Sequence, residues 1–383
     1  MPNLDTKDFI CTGCFLCSNI CPTNAIEIKE DKEGFYQYEI KEDKCISCEK
    51  CVNICPKLNH VEKEYDILKC YAAYSKDDEI LKQSSSGGLF TELASYILKN
   101  NGVVGGACWQ DGIIKHILIK KEKDLEKLRG SKYLQSNLGD IFIETKKALD
   151  NNKKVLFSGT SCQIGALNNF IKHDNLYTLD IVCHGVPSVK TFWLSLEQRF
   201  NKKGMKVNFR SKPNGWLNFE IEYEGIHSIS FNKDAWFDKY LNNHFLKKDC
   251  YNCPFIDKKR LADISLGDYW GINVTDKDFF KQNDNKGVSV VLINSVKGSD
   301  LFKNIKDKLI FKETSTLEAY KYNSRLLNGK YDDIYFKKRI KFYEKLSKNE
   351  IIFDDTKVKV QKTTFIRRCI NKLKRILKRC FVK

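Results

Sequence analysis

The order of apolar and polar positions divides the chain into three stretches. Up to about residue 60 the apolar residues are scattered, and only AIEIK and FYQYEI alternate as short strands do, joined through the charged turn EDKEG. Beyond it the apolar period switches repeatedly between 2 and 3.6. KCYAAYS (69–75) predicts a strand, and SSSGGLFTELASYILKNNG predicts a helix with Ser84–Ser86 as caps, Leu89, Phe90, Leu93, Ile97 and Leu98 at helical spacing, and Gly102 as its stop. GVVGGACW and IIKHILIK read as strands, DIFIETKKALD as a helix, KKVLFSG (153–159) as a strand, TSCQIGALNNFIK as a helix and NLYTLDIVC (175–183) as a strand. Helices are expected at 188–200 and 235–246, flanking the strands VNFRS and LNFEIEYE; ADISLGDYWG and GVSVVLINS are further strands, and two more helices precede the tail. Repeated strand–helix–strand order predicts an α/β body whose sheet is largely parallel or mixed. In the last stretch Ile366, Cys369, Ile370, Leu373, Ile376, Leu377, Cys380 and Phe381 recur at i, i+3, i+4 spacing, with Lys and Arg on the opposite face, so a C-terminal amphipathic helix is expected. The predicted organisation is a small α+β domain at 1–62, body segments at 63–150 and 151–349, and a basic linker with the amphipathic helix at 350–383.

Composition alters this picture in two places. Of the net charge of +17, residues 357–383 supply +11, so the basicity belongs to the tail and leaves +6 for the body. A basic amphipathic helix at 364–383 fits an anionic membrane surface. Nucleic acid is not the expected partner, because the only aromatics there are Phe365 and Phe381, at its two ends. MPNLDTKDFI lacks the basic and apolar regions of a signal peptide, and no run of eighteen apolar residues occurs. A cytoplasmic protein, peripheral at the inner membrane face, is therefore expected. In that compartment its 16 cysteines point to metal or redox roles before disulfides.

The cysteines carry the chemistry. Cys11, Cys14, Cys17 and Cys21 form C-x-x-C-x-x-C-x-x-x-C-P, and Cys45, Cys48, Cys51 and Cys55 repeat it at an offset of 34 residues. Three closely spaced thiolates hold one cubane while the fourth crosses to the other. That rule assigns Cys11, Cys14, Cys17 and Cys55 to one 4Fe–4S cluster, and Cys45, Cys48, Cys51 and Cys21 to a second. The stretch resembles bacterial two-cluster ferredoxins. Four further cysteines stand apart: Cys162 after one strand, Cys183 at the end of the next, and the pair Cys250 and Cys253 in DCYNCPF. A right-handed strand–helix–strand unit brings Cys162 and Cys183 to one sheet edge, where ligands of open α/β folds bind. With Cys250 and Cys253 they could hold a third 4Fe–4S cluster or a structural zinc, or Cys162 and Cys183 could be buried small hydrophobes.

SSSGG (84–88), GSKYLQS (130–136), GTSCQIGAL (159–167), CHGVP (183–187), CYNC (250–253), ADISLGDYWG (262–271) and KGVSVVLINSVKG (286–298) together resemble the coenzyme F420 hydrogenase/dehydrogenase beta subunit family, in order from about Cys70 to about Tyr331. This family also includes a plant chlorophyll-pathway reductase. The resemblance implies FAD beside a cluster on Cys162, Cys183, Cys250 and Cys253. It also implies a reductase that passes electrons from a ferredoxin-like donor to FAD and on to a small-molecule or cofactor acceptor that the family name does not fix. The fused arrangement is similar to bacterial members found among surface-polysaccharide genes. Ser86, Gly87, Gly88, Gly130, Ser131, Lys132, Thr160 and Lys286 are the expected flavin contacts; Asp263 and Asp268 flank a strand near the late pair. His184 could donate a proton or hydrogen-bond the neighbouring thiolate. The other functional class is a non-catalytic subunit relaying electrons to a partner enzyme.

Overall fold

A computed structural model describes Leu4, residues 11–59 and residues 66–358; the expected helix at 364–383 lies outside the described residues. The front domain is a hairpin of β1 (Ile26–Glu30) and β2 (Tyr36–Ile40), flanked by two one-turn helices, Leu16–Asn19 and Lys50–Ile54. Each helix starts from a residue of positive φ, Phe15 at 64° and Glu49 at 58°, so the cysteine loops turn tightly before the helix begins.

The body contains β3 (Lys69–Ser75), β4 (Val103–Gln110), β5 (Ile113–Ile119), β6 (Val155–Thr160), β7 (Leu176–Ile181), β8 (Val207–Ser211), β9 (Glu220–Tyr223), β10 (Ser228–Ser230), β11 (Asn252–Asp257), β12 (Ile264–Asp268), β13 (Ser289–Ile293), β14 (Leu309–Glu313) and β15 (Asn328–Lys330). Eight of these form a mixed sheet in the order β14-β3-β13-β12-β7-β6-β4-β5. Its centre, β4, β6, β7 and β12, is parallel, and β13, β3, β14 and β5 pair antiparallel. The central strands are buried on both faces, which is why they read as near-continuous apolar runs. A smaller sheet of β10-β9-β8 covers an aromatic core that includes Phe192, Phe209, Trp236, Phe237 and Phe245.

Two sequence expectations need correction. Ser84–Ser86 do not cap the long helix; that helix runs Leu89–Lys99 from Gly88, whose φ of 82° makes the turn, while Ser84 ends a separate helix, Asp78–Gln83. The helix expected to reach 246 stops at Leu241, before Asn243 at φ 59°. The front domain is seated on the body. Tyr36 N–H donates to Gln135 Oε1 at 2.8 Å, Asn169 Nδ2 donates to the Ile54 carbonyl at 3.0 Å, and Lys247 Nζ donates to the Tyr36 carbonyl at 3.2 Å. Ion pairs Lys57–Asp249 and Arg339–Glu33 close the same seam.

Candidate redox site

Twelve of the cysteines gather in three quartets. Cys11, Cys14, Cys17 and Cys55 line one small cavity, and Cys21, Cys45, Cys48 and Cys51 line another. The first quartet faces the body: Cys14, Phe15 and Leu16 share a core cluster with Phe142, Phe157 and Leu167. Burial pushes the Cys14 thiol up to about 12 and Cys17 well above its ordinary value. Such thiols can ionise together only where a strongly positive centre receives them. The second quartet is the outer one, with Cys48 exposed.

The third quartet is built at the sheet edge. Thr160 and Ile181 are partners across β6 and β7, and Cys162 and Cys183 each follow two residues later, so both leave the same edge. The strand β11 and the turn before it bring up Cys253 and Cys250. The four thiols feel one another electrostatically, and burial raises each of them, Cys183 to about 11 and Cys162 well above its usual value. Beneath Cys162 the buried Arg260–Asp180 pair, with Ser161 Oγ donating to Asp180 at 2.6 Å, fixes the first turn of the helix Ser161–Phe170. Arg325 lies over the quartet. Its Nε donates to the Cys183 carbonyl at 3.2 Å and it stacks on Tyr331, but among the described residues no carboxylate pairs with it. A buried guanidinium without a counter-charge fits four thiolates around a cluster of net negative charge, and so the donor set suits the group. No three described His, Cys, Asp or Glu side chains converge on a point suited to a single metal ion; the two ferredoxin quartets are grouped around cavities instead.

Cys162 also borders a cleft of about 290 Å³ at the carboxyl edge of the sheet. Ser86, Gly88, Gly130, Ser131, Lys132 and Thr160 line it, as expected. The start of the eleven-residue helix Leu89–Lys99 opens onto it through Gly88, Leu89, Phe90 and Thr91, whose N–H groups have no carbonyl one turn back within the helix. Among the described residues Lys132 bonds only the Arg129 carbonyl, at 2.6 Å, and burial pushes its ammonium down to about 7. Arg129 contributes a buried Nε without a partner. The one carboxylate among the described residues lining the cleft, Asp268, is occupied by Arg210 at 2.8 Å and by Trp216 Nε1 at 2.8 Å. The helix N-terminus, Lys132 and Arg129 thus offer donors that could hold a diphosphate, and the apolar Leu179, Ile181, Val182 and Leu266 suit a planar ring.

Other sequence candidates are placed elsewhere. Gly87 supports the loop from behind, its N–H donating to Ser289 Oγ at 2.9 Å. Lys286 does not line the cleft; its ammonium meets Asp78 at 2.9 Å on the surface, because the chain turns outward before Gly287. His184 lies against Tyr240 and Tyr331 beside the third quartet and is not part of the cleft wall. Asp263 is structural, accepting from Thr178 N–H at 2.8 Å and Ser295 Oγ at 2.6 Å. Sequence reasoning missed His116, which lines the cleft as a neutral ring: burial lowers it to about 4, Ser136 Oγ meets Nδ1 at 2.8 Å, and Nε2 donates to the Ser158 carbonyl at 3.2 Å. It also missed Arg129, Arg210 and Lys212, whose ammonium donates to the Leu81 and Lys286 carbonyls at 2.7 and 2.5 Å under the serine loop. Of these, only His116 and Arg210 lie in strands that the sequence predicts.

Comparison with known proteins sorts the chain in the same way. Residues 70–142 match the family described as coenzyme F420 hydrogenase/dehydrogenase, beta subunit N-term, and residues 152–318 match the C terminus of the same subunit. Residues 10–59 match a 4Fe-4S dicluster domain. Among solved structures, a chain of the F420-reducing [NiFe] hydrogenase complex from Methanosarcina barkeri, from a xenon derivatization study, is 20% identical. The likeness covers 75% of this chain and 94% of that one, with a TM-score of 0.45. No curated protein matches.

Proposed function

The chain belongs to the coenzyme F420 hydrogenase/dehydrogenase beta subunit family, with an iron–sulfur dicluster domain in front, and from that premise we propose that it is an FAD-dependent iron–sulfur reductase. The observation that carries this reading is that Cys162, one of the third four cysteines, lines the same cleft as Lys132, Arg129 and a helix N-terminus. Cys11, Cys14, Cys17 and Cys55 would hold the inner ferredoxin cluster, Cys21, Cys45, Cys48 and Cys51 the outer one, and Cys162, Cys183, Cys250 and Cys253 the third. The outer quartet, with Cys48 at the surface, receives electrons from a ferredoxin-like donor. Lys132, Arg129 and the N–H groups of 88–91 would bind the flavin diphosphate, and Ser131, through Ser85 Oγ at 2.8 and 2.9 Å, holds the two glycine-bearing loops together. A bound flavin collects electrons singly and releases them in pairs, which is what a two-electron acceptor requires. His116, whose ring burial disfavours charging, shapes the wall. Residues 364–383 would hold the protein at an anionic membrane surface; no described helix is long and apolar enough to cross a membrane.

Iron and flavin content of anaerobically purified protein tests the reading. Three clusters require about twelve irons per chain, and Cys250→Ser with Cys253→Ser should leave about eight. About eight irons in both proteins, or wild type without flavin, would refute it.

A further inference from the structure

Two quartets border the cleft. Cys162 lines it from the sheet edge, and Thr12 and Gly13 line it from the ferredoxin loop. Thr12 and Gly13 also line the cavity ringed by Cys11, Cys14, Cys17 and Cys55, so one short loop separates the inner quartet from the cleft. The close approach depends on glycine. Gly13 has φ +72°, and a Cβ there would stand 2.4 Å from Gln135 Nε2 and 2.8 Å from the Tyr36 carbonyl oxygen. Gln135, itself a cleft residue, holds the hairpin beside this loop by accepting from Tyr36 N–H at 2.8 Å. A separate arm leads from the inner quartet to the third. Lys57, two residues after Cys55, is paired with Asp249, one before Cys250, and the two side chains are only 22% and 6% exposed.

We infer that the inner quartet is a branch point. It reaches the cleft directly across Thr12–Gly13, and it also reaches the third quartet across Lys57–Asp249, so the third cluster is not an obligatory relay. The inference rests on the cluster and flavin assignments proposed above. The electron balance closes with two one-electron carriers at one cleft. Clusters held by the inner and third cysteines would each give up one electron, a flavin held by Lys132 and Arg129 would take up both with protons from water, and a one-electron donor of the ferredoxin class would restore both clusters through the outer quartet. The pair of electrons is then available at the cleft without a second arrival from outside.

The test uses the full chain, purified anaerobically with iron and flavin quantified. The protein is poised so that a flavin radical signal coexists with reduced clusters, and microwave power saturation of that signal is compared in wild type and in Cys250→Ser/Cys253→Ser. A reduced, paramagnetic cluster nearby speeds relaxation of the radical. The variant should lose about four irons, keep its flavin, and still relax severalfold faster than free flavin radical. A radical in the variant that relaxes like free flavin while the remaining clusters are reduced overturns the inference. Should the variant fail to fold or lose flavin, wild type is titrated through small steps of potential. Two successive increases in relaxation support a branch, and a single increase overturns it. Wild type without flavin fails at the quantification, which marks the failure as that of the underlying assignment, and this inference falls with it.

Discussion

One repeated motif writes both ferredoxin quartets, and the two copies end in opposite surroundings. The outer copy lies beside the exposed Cys48 and Ile46, near a hairpin whose charges, such as Lys29 and Glu39, pair in solvent. The inner copy is built into the body's core through Cys14, Phe15 and Leu16, with the buried Lys247 and the Lys57–Asp249 pair closing over it. Ligand spacing therefore says what is bound, while burial says where electrons can go next. On the assignments proposed above, the same contrast would separate an inlet from a junction.

The largest difference is expected from ligand substitutions. Cys14→Ser and Cys48→Ser should each lose about four irons, but only Cys14→Ser should also lose flavin and lower the thermal midpoint, because of the two ferredoxin quartets only the inner one packs into the body's core and neighbours the cleft through Thr12 and Gly13. Iron and flavin analysis with thermal melts reads this, and equal flavin loss in both variants would break the comparison. Next in size is the seam. Lys57→Met leaves the Asp249 carboxylate buried without a partner, at a cost of about 3 kcal/mol, whereas Lys29→Met on the outer hairpin should change the melting curve little, since its pairs are exposed.

A smaller effect follows from pH. Burial holds Lys132 and Lys212 down to about 7 in the folded protein, well under the unfolded value near 10.5. Between about pH 7 and pH 10 the unfolded chain keeps protons that the native state has released, so the flavin-free protein should gain stability with rising pH. Flavin binding should weaken over the same rise, as the Lys132 ammonium is lost, and Lys132→Gln should flatten that affinity profile. Parallel melts and flavin titrations below and above pH 7 check the opposite signs. Smallest for the fold is deletion of residues 364–383, which should move the protein from membrane to soluble fractions and leave iron and flavin content unchanged; unaltered fractionation would remove the membrane proposal.

Much of this arrangement is legible in the amino-acid sequence alone. Doubly buried strands such as VLFSGT and LYTLDI betray themselves as apolar runs, and the strand–helix–strand rule is enough to bring Cys162 near Cys183. What escapes notice are charged residues that matter only because distant segments bury them. Lys57, Lys247 and Arg325 look like ordinary solvated cations in the chain, and nothing local distinguishes Lys132, which lines the cleft, from Lys286, which does not. The short helix Asp78–Gln83 escapes as well. Its polar sequence shows no apolar stripe, yet Asp77 caps it by accepting from Glu79 and Ile80 N–H at 2.9 and 3.1 Å.

Arg325 carries a consequence for biogenesis. Its guanidinium is sealed in with backbone carbonyls and the Tyr331 ring, and among the described residues no carboxylate balances it. On the assignment proposed above, the missing negative charge comes from a cluster on Cys162, Cys183, Cys250 and Cys253. The body would then be unable to close fully until iron and sulfide have been delivered. Maturation machinery would meet a chain held open at this point, and cells short of iron would send it to proteases.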